Sequence, residues 1–279
     1  MSRNQYSSDL TEQEWLLLKD LIPPANFGGR PRTVEIREIL NAVFYVLRAG
    51  CAWRLVPHDF PKWKTVYHYW REWRISGLWE RINATLRRSL RKKTGRNAEP
   101  SASVIDSQSI KTTERGGVHG YDGGKKVSGR KRHLLVDTAG LLLKAKVHAA
   151  DILDNRGGKL LLKNLKAEFP VIKHCWADMG YRGDFPEWCK ENLDWTIEIV
   201  KRPSKWGRYL PGVEPKPLPR FTVLKRRWVV ERTIAWIGRN RRMSKDYEFL
   251  TETSESFIYA AMSRLMLKRL TKGVEKQKF

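Results

Sequence analysis

Residues 131–148 read KRHLLVDTAGLLLKAKVH, and this stretch decides the fold class. An apolar segment runs to Asp137, Thr138, Ala139 and Gly140 provide turn residues, and residues 141–148 form a second apolar segment. Two such segments joined by a short glycine-containing turn predict a β-hairpin.

Short strands and helices are predicted to alternate around this hairpin. A strand is predicted at residues 103–106, before the hairpin. After it come, in order, a helix at 154–168, a strand at 171–178, a helix at 185–191, a strand at 195–200, a proline-rich insertion at 201–221, and helices at 222–240 and 254–270. This order predicts an α/β domain over residues 103–279, with a mixed sheet flanked by helices.

Residues 1–93 are predicted to form a separate all-helical domain, joined to the rest by a linker at 94–102. Thr11 and Glu14 have the spacing of a capping box that starts the first helix. A third helix after Pro61 has an apolar inner face and a basic outer face, which favours a DNA-binding unit of the helix-turn-helix type. The alternative is an ordinary bundle whose charges only keep it soluble. The candidate DNA contacts in this region are Arg30, Arg32, Lys64, His68, Arg71 and Arg74.

The charge balance points to a polyanionic partner. The 279 residues contain 54 Lys and Arg against 30 Asp and Glu, a formal net charge of +24. A charge this large favours nucleic acid as the partner. An anionic membrane surface is the second candidate for the partner. It is less favoured because no stretch approaches the ~20 apolar residues of a membrane span.

Composition also predicts a soluble protein of a reducing cytosol. The N-terminus lacks the apolar run of a secretory signal. The three cysteines, Cys51, Cys175 and Cys189, are too scattered for a disulfide framework or a zinc site.

Three acids are candidates for a shared metal site. Asp106 and Asp178 are expected at the carboxyl ends of their strands, where open α/β sheets place their sites. Glu231 follows three apolar residues on an amphipathic helix, with Arg227 one turn before it. Carboxylates are ligands of magnesium, and two-metal sites carry out phosphoryl transfer.

Each acid also has a purely structural explanation. Asp106 and Asp178 could be turn formers at strand ends, and Glu231 with Arg227 could be a helix-surface pair contributing ~0.2–0.5 kcal/mol. Four other acids are candidates for the same roles. Asp137 is interpreted as a turn residue, and the other three are interpreted as helix caps: Asp151, Asp154 and Asp184.

Four ordered blocks of sequence resemble the DDE transposases of bacterial insertion sequences. The first two are VIDSQSIKTT at 104–113 and YDGGKKVSGRKRH at 121–133. The third is ADMGYRG at 177–183, and the fourth is RRWVVERT at 226–233 with RNRRMSKDYE at 239–248. Residues 10–82 are also similar to the helical domain of these proteins. The resemblance is to the fifth insertion-sequence family, which is related to the fourth, and it covers nearly the whole chain.

The resemblance implies a ribonuclease-H-like core in which Asp106, Asp178 and Glu231 are catalytic and bind two magnesium ions, with manganese able to substitute. Relatives carry a Tyr-Arg-Glu-Lys signature around the glutamate. Arg227 and Glu231 match it, while Leu224 and Gly238 occupy the Tyr and Lys positions and the adjacent Arg239 could supply the missing cation. Trp206 in the insertion could stack on a flipped base or simply pack.

The implied activity is transposition: cleavage at the ends of the element, then joining of the 3′ ends to target DNA by two-metal phosphoryl transfer. The alternatives are a catalytically silent DNA-binding regulator derived from such an element and a plain metal-dependent nuclease. The expected partner is double-stranded DNA, bound by a homodimer or larger assembly. The resemblance also implies a bacterial cytoplasmic protein associated with the nucleoid. The expected DNA contacts in this part of the chain are Lys111, Lys125, Lys126, Arg130, Lys131, Arg132, Arg227, Arg239, Arg241 and Arg242.

Overall fold

A computed structural model describes residues 3–25, 28, 31–114, 116–200 and 226–272. The predictions for Arg30, Trp206, Leu224 and the insertion at 201–221 lie outside the described residues. Within them, no helix is long and apolar enough to span a membrane.

The N-terminal part of the chain is helical. Its α-helices are α1 (Glu12–Leu18), α2 (Ile36–Ala49), α3 (Trp63–Ile75) and α4 (Leu78–Lys93). The predicted capping box is confirmed, because the Glu14 backbone N–H donates to the Thr11 hydroxyl and the Thr11 N–H donates to the Glu14 carboxylate. Gly50 ends α2 with φ of 76°, a left-handed conformation that glycine adopts without strain.

The remainder alternates strands and helices. The elements are β1 (Ala102–Lys111), β2 (Gly120–Asp122), β3 (Val127–Asp137), β4 (Leu142–Ala149), α5 (Asp154–Leu162), β5 (His174–Ala177), α6 (Phe185–Leu193), β6 (Thr196–Ile199), α7 (Arg227–Gly238) and α8 (Thr251–Thr271). The predicted hairpin is β3–β4. The sequence missed β2, and α5 ends six residues earlier than the predicted helix at 154–168.

The described strands form one mixed sheet in which β1 is central. β1 runs antiparallel to β3 and parallel to β5, and β6 continues the parallel side. On the far edge of β3, β4 pairs with its C-terminal part and β2 with its first residues. The fold is therefore α/β, with a mixed sheet and helices on both faces, as the sequence predicted.

Alternating residues of the central strands enter two different cores. Val104 and Leu134 join a cluster with α7, α8 and the N-terminal helices. Ile105 and Leu135 join a second cluster with α5 and α6. Because side chains alternate across a sheet, Asp106 lies on the same face as Val104, the face that α7 covers.

The N-terminal helices share the first of these cores with α8. Trp70 of α3 stacks on Phe257 of α8 with ring centroids 4.2 Å apart. Arg264 of α8 also forms a 2.6 Å ion pair with the buried Glu14 of α1. The division into domains at 1–93 and 103–279 stays a prediction, and the packing joins the two parts through α8.

Candidate active site

Asp106 and Asp178 lie level with each other on neighbouring strands. Asp178 directly follows β5, as predicted. Asp106 does not end its strand, which corrects the sequence prediction: β1 continues to Lys111 because β3 pairs with it along that whole length. The parallel pairing of Val104 with Trp176, continued for two residues, brings Asp106 beside Asp178 where β5 has already ended.

The side chain of Arg227 brings the three predicted acids together. Its Nη2 atom lies 3.6 Å from Oδ2 of Asp106, 3.7 Å from Oδ2 of Asp178 and 3.4 Å from Oε1 of Glu231. Arg227 and Glu231 are one turn apart on α7, so this helix supplies both the cation and the third acid. Sequence reasoning placed Arg227 on the Glu231 face and offered two roles for it, a phosphate contact or a pair with Glu231; contacts with Asp106 and Asp178 were not predicted.

The three acids of the site differ in their surroundings. Burial, reinforced by the charge of Asp178, raises the pKa of Asp106 to about 6, although the Ser107 backbone N–H, Arg227 and Lys125 all favour its ionised form. Asp178 is fixed by accepting a 2.8 Å hydrogen bond from the backbone N–H of Gly180. The Glu231 side chain is 55% exposed, so the site opens to solvent on the α7 side.

The donor set suits a hard divalent cation, because all three side chains offer carboxylate oxygens. Within the described residues, however, no three acidic, histidine or cysteine side chains are grouped closely enough to hold one ion. The nitrogen of Arg227 lies between the acids, so a metal ion would have to replace it or share the space with it.

A buried polar network supports Asp106 from behind. The Ser107 hydroxyl donates to Asp154 at 2.9 Å, and the Lys131 ammonium lies 3.1 Å from Asp154 and 3.6 Å from Asp122. The prediction that Asp151 or Asp154 caps α5 is wrong, since Leu153 is the N-cap residue and has no side-chain cap. Asp137 is confirmed as the turn residue, accepting from the backbone of Ala139 and Leu141.

The remaining acid, Asp184, stands at the N-cap position of α6 but makes no side-chain cap hydrogen bond. Its carboxylate instead pairs with Lys159 at 2.6 Å on the surface. It lies outside the carboxylate cluster.

Comparison with known proteins assigns the family. Residues 97–266, more than half of the chain, match the model described as "Transposase DDE domain". The chain belongs to the DDE transposase family. Residues 10–83 match a second model, described as "Putative transposase of IS4/5 family". The chain is also 28% identical over 115 residues to "Insertion element IS402 uncharacterized 16.2 kDa protein" of Burkholderia cepacia, covering 38% of this chain and 76% of that protein. No solved structure matches.

Membership of this family implies that the transposase binds DNA and uses divalent metal ions. Most of the predicted DNA contacts have side chains that reach solvent. Arg74 is half-buried, and the exposed ones are Arg32, Lys64, His68, Arg71, Lys111, Lys125, Lys126, Arg239 and Arg241. The Lys125 ammonium also lies 3.3 Å from the backbone carbonyl of Ser107, next to the acid cluster.

The prediction of DNA contacts by Arg130, Lys131 and Arg132 needs correction, because β3 is covered on both faces. Arg130 and Arg132 are at most 2% exposed. Arg130 pairs with Asp246 and donates to three backbone carbonyls, while Arg132 donates to the carbonyls of Met243 and Lys245. With Lys131 held by Asp154 and the Ile152 carbonyl, this basic run stabilises the fold.

Two further predicted contacts, Arg227 and Arg242, are also buried. Arg227 lies among the acids as described above. Arg242 pairs with Glu248 at 2.6 Å and donates to the Cys51 carbonyl at 3.0 Å. Its guanidinium therefore joins the segment after α7 to the end of α2 and is buried between them.

Two histidines face each other beneath the site. Nδ1 of His133 shares a 2.9 Å hydrogen bond with the Tyr181 hydroxyl. The ring centroids of His133 and His148 are 4.8 Å apart. Both Nε2 atoms are buried without a hydrogen-bond partner among the described residues, and a Cβ at position 157 would overlap both, which requires Gly157 there. Burial lowers the pKa of both histidines, so both are held neutral.

We expect this pair to make the fold sensitive to acid. A histidine with a lowered pKa contributes stability that is present above the unfolded pKa, about 6.5, and is lost below it at up to roughly 1.4 kcal/mol per pH unit for each ring. The urea midpoint of the wild type should therefore fall between pH 7.5 and pH 5.5, and it should fall less in His133→Gln and His148→Gln. An equal fall in the variants would show that other groups cause the acid sensitivity.

Proposed function

We propose that this transposase binds the ends of an insertion sequence, cleaves the DNA there and joins the 3′ ends to target DNA. The observation that carries the proposal is the convergence of Asp106, Asp178 and Glu231 on one nitrogen of Arg227. Acids from β1, from the residue after β5 and from α7 meet there although they are far apart in the sequence. A role as turn formers or helix caps would not require them to meet.

In this proposal the three acids hold two magnesium ions, for which manganese can substitute. When bound, such ions activate the attacking oxygen and stabilise the leaving oxygen of a phosphodiester. The chain's own contribution is to fix the acids. Pairing of β1 with β3 holds Asp106, the Gly180 N–H orients Asp178, and α7 presents Glu231 from the opposite side.

The lysine next to the acids could bind the backbone of a DNA strand that lies across them. The Lys125 ammonium is placed next to Asp106 by its contacts with Ser107, at 3.3 Å from the carbonyl and 3.4 Å from the hydroxyl. From there it would neutralise a phosphate close to the reacting one. No serine, tyrosine or cysteine nucleophile is needed, because water or a DNA 3′-hydroxyl attacks the phosphodiester directly.

The finer assignments are part of the same proposal. The mixed sheet, with β1 between an antiparallel and a parallel neighbour, supports a ribonuclease-H-like core. The exposed basic face of α3, which carries Lys64, His68 and Arg71, supports a DNA-binding role for residues 1–93. Two element ends must be brought together for joining, so we propose a dimer or larger assembly on double-stranded DNA.

The alternatives, a silent regulator and a plain nuclease, differ from a transposase in their products. The test uses purified protein, magnesium, a supercoiled plasmid and a labelled duplex of element-end sequence whose joined strand stops at the element terminus, so that joining needs no prior cleavage. The matched control duplex ends in a dideoxynucleotide and lacks the 3′-hydroxyl. We expect label to enter the plasmid only from the duplex with a 3′-hydroxyl. Cutting without joining would indicate a nuclease, and binding without either reaction would indicate a regulator.

A further inference from the structure

Arg227 is held differently from Arg130, another buried arginine that forms an ion pair. The guanidinium of Arg130 donates to the backbone carbonyls of Val118, Glu248 and Phe249 at 2.7–2.8 Å. The three distances from Arg227 to the acids are 3.4–3.7 Å, longer than the ~2.7–2.9 Å of charge-assisted hydrogen bonds. Its buried Nε has no hydrogen-bond partner among the described residues. Charge, more than directed hydrogen bonds, keeps Arg227 in place.

The terminal nitrogen of Arg227 lies between the three carboxylates, in the space that a metal ion bound by these acids would have to enter. One nitrogen faces an oxygen from each of the three acids, and the side chain is 9% exposed. A positive charge there relieves the repulsion between the carboxylates of Asp106 and Asp178, which both lie within 3.7 Å of the Arg227 nitrogen. Two cations cannot gain the full attraction of the same three carboxylates, so the guanidinium and a metal ion compete.

We propose that Arg227 is an exchangeable counter-ion: it neutralises the three acids in the metal-free protein and leaves them when divalent metal binds. The displaced guanidinium, still next to the acids, then contacts the DNA backbone. This step rests on the proposed function for the identity of the site. It makes Arg227 a positioning residue that couples metal loading to DNA binding.

The coupling is reciprocal by thermodynamic necessity. If metal binding releases Arg227 for a phosphate, then a phosphate that holds Arg227 must raise the affinity for metal by the same factor. In the absence of DNA, the acids are neutralised internally and metal binds weakly. The arrangement therefore disfavours metal loading until DNA is present.

The test is a Mn²⁺ titration of the DNA-free protein, with free Mn²⁺ measured by electron paramagnetic resonance. We expect Arg227→Gln to bind Mn²⁺ about tenfold more tightly than the wild type, within the roughly 5–150-fold range of such couplings. Lys190→Gln is the charge-matched control. It removes one positive charge from an exposed ion pair with Asp194 on α6, outside the acid cluster, and should change the affinity less than about twofold, since exposed charges are largely screened.

Mn²⁺ binding by Arg227→Gln that is equal to or weaker than that of the wild type would overturn the proposal. If Arg227→Gln does not unfold cooperatively, Arg227→Met, which is also neutral and fills similar space, is titrated instead, with the same expected gain. Because this titration involves no DNA and no reaction, it can fail while DNA joining succeeds, which separates the inference from the proposed function.

A second titration tests the link to DNA. Addition of a duplex oligonucleotide should raise the Mn²⁺ affinity of the wild type by a larger factor than that of Arg227→Gln, because the variant has no guanidinium to release. Equal factors in the two proteins would show that Arg227 does not connect metal to DNA.

Discussion

Asp178→Ala is expected to reduce DNA joining by at least about 10³-fold while leaving DNA binding intact. Metal ions in such sites supply several kcal/mol of transition-state stabilisation, and each 1.4 kcal/mol or so is a factor of ten in rate. Asp178 is held by the Gly180 N–H and lies near Arg227, so its loss removes one of the three proposed metal ligands. The rate of label transfer from the element-end duplex to a plasmid measures the effect.

The isosteric variants Asp106→Asn and Glu231→Gln should lose joining to a similar extent. DNA affinity should stay the same or rise in all three variants, because each removes a negative charge close to the phosphates. Asp184→Ala is the control, since this acid is only six residues after Asp178 in the sequence but pairs with Lys159 on the surface. It should retain full activity. Wild-type joining rates in the triad variants would contradict the proposed site.

Arg130→Ala is expected to lower the free energy of unfolding by ~3–5 kcal/mol, the usual cost of removing one partner of a buried ion pair. Arg130 and Asp246 have side chains that are 0% and 1% exposed. Arg130 also ties the residues before α8 to β3 through the Glu248 and Phe249 carbonyls. Its removal would leave the Asp246 carboxylate buried without its cation. Urea denaturation followed by circular dichroism measures the change.

Lys126→Gln provides the comparison for Arg130. Lys126, four residues before Arg130, is also predicted to contact DNA, but its side chain is exposed. Its replacement should leave the urea midpoint unchanged and weaken DNA binding. Asp246→Asn, a milder change to the same ion pair, should be destabilised in the same direction as Arg130→Ala. If both ion-pair variants kept wild-type stability, the structural role of Arg130 would be refuted.

The local pattern of the sequence predicted most elements of the fold. The β3–β4 hairpin and α3 could be recognised because apolar periodicity and turn residues act over short distances. The strand β2 was missed because its residues, Gly120, Tyr121 and Asp122, have no apolar alternation; they form a strand only because β3 offers a free edge. The full length of β1 was missed for a similar reason, since its polar second half is held by β3.

The basic run at Arg130, Lys131 and Arg132 shows a second limit of sequence reasoning. Charged side chains are normally exposed, so a cluster of them in a strongly basic chain is naturally assigned to DNA. The exception arises because β3 lies inside a sheet covered on both faces, where buried carboxylates and free backbone carbonyls receive the charges. No local pattern contains those partners, which come from residues far along the chain.

The sequence by itself determined the chemical types at the candidate site: two aspartates after apolar segments and a glutamate on an amphipathic helix, one turn from an arginine. Only the tertiary structure decided that these acids meet and that Arg227 lies between them. The reason is that the register of β1 with β5 and the packing of α7 over the sheet depend on long-range contacts. The three acids the sequence singled out converge, and the cation it assigned to a phosphate or to Glu231 is the one that joins them.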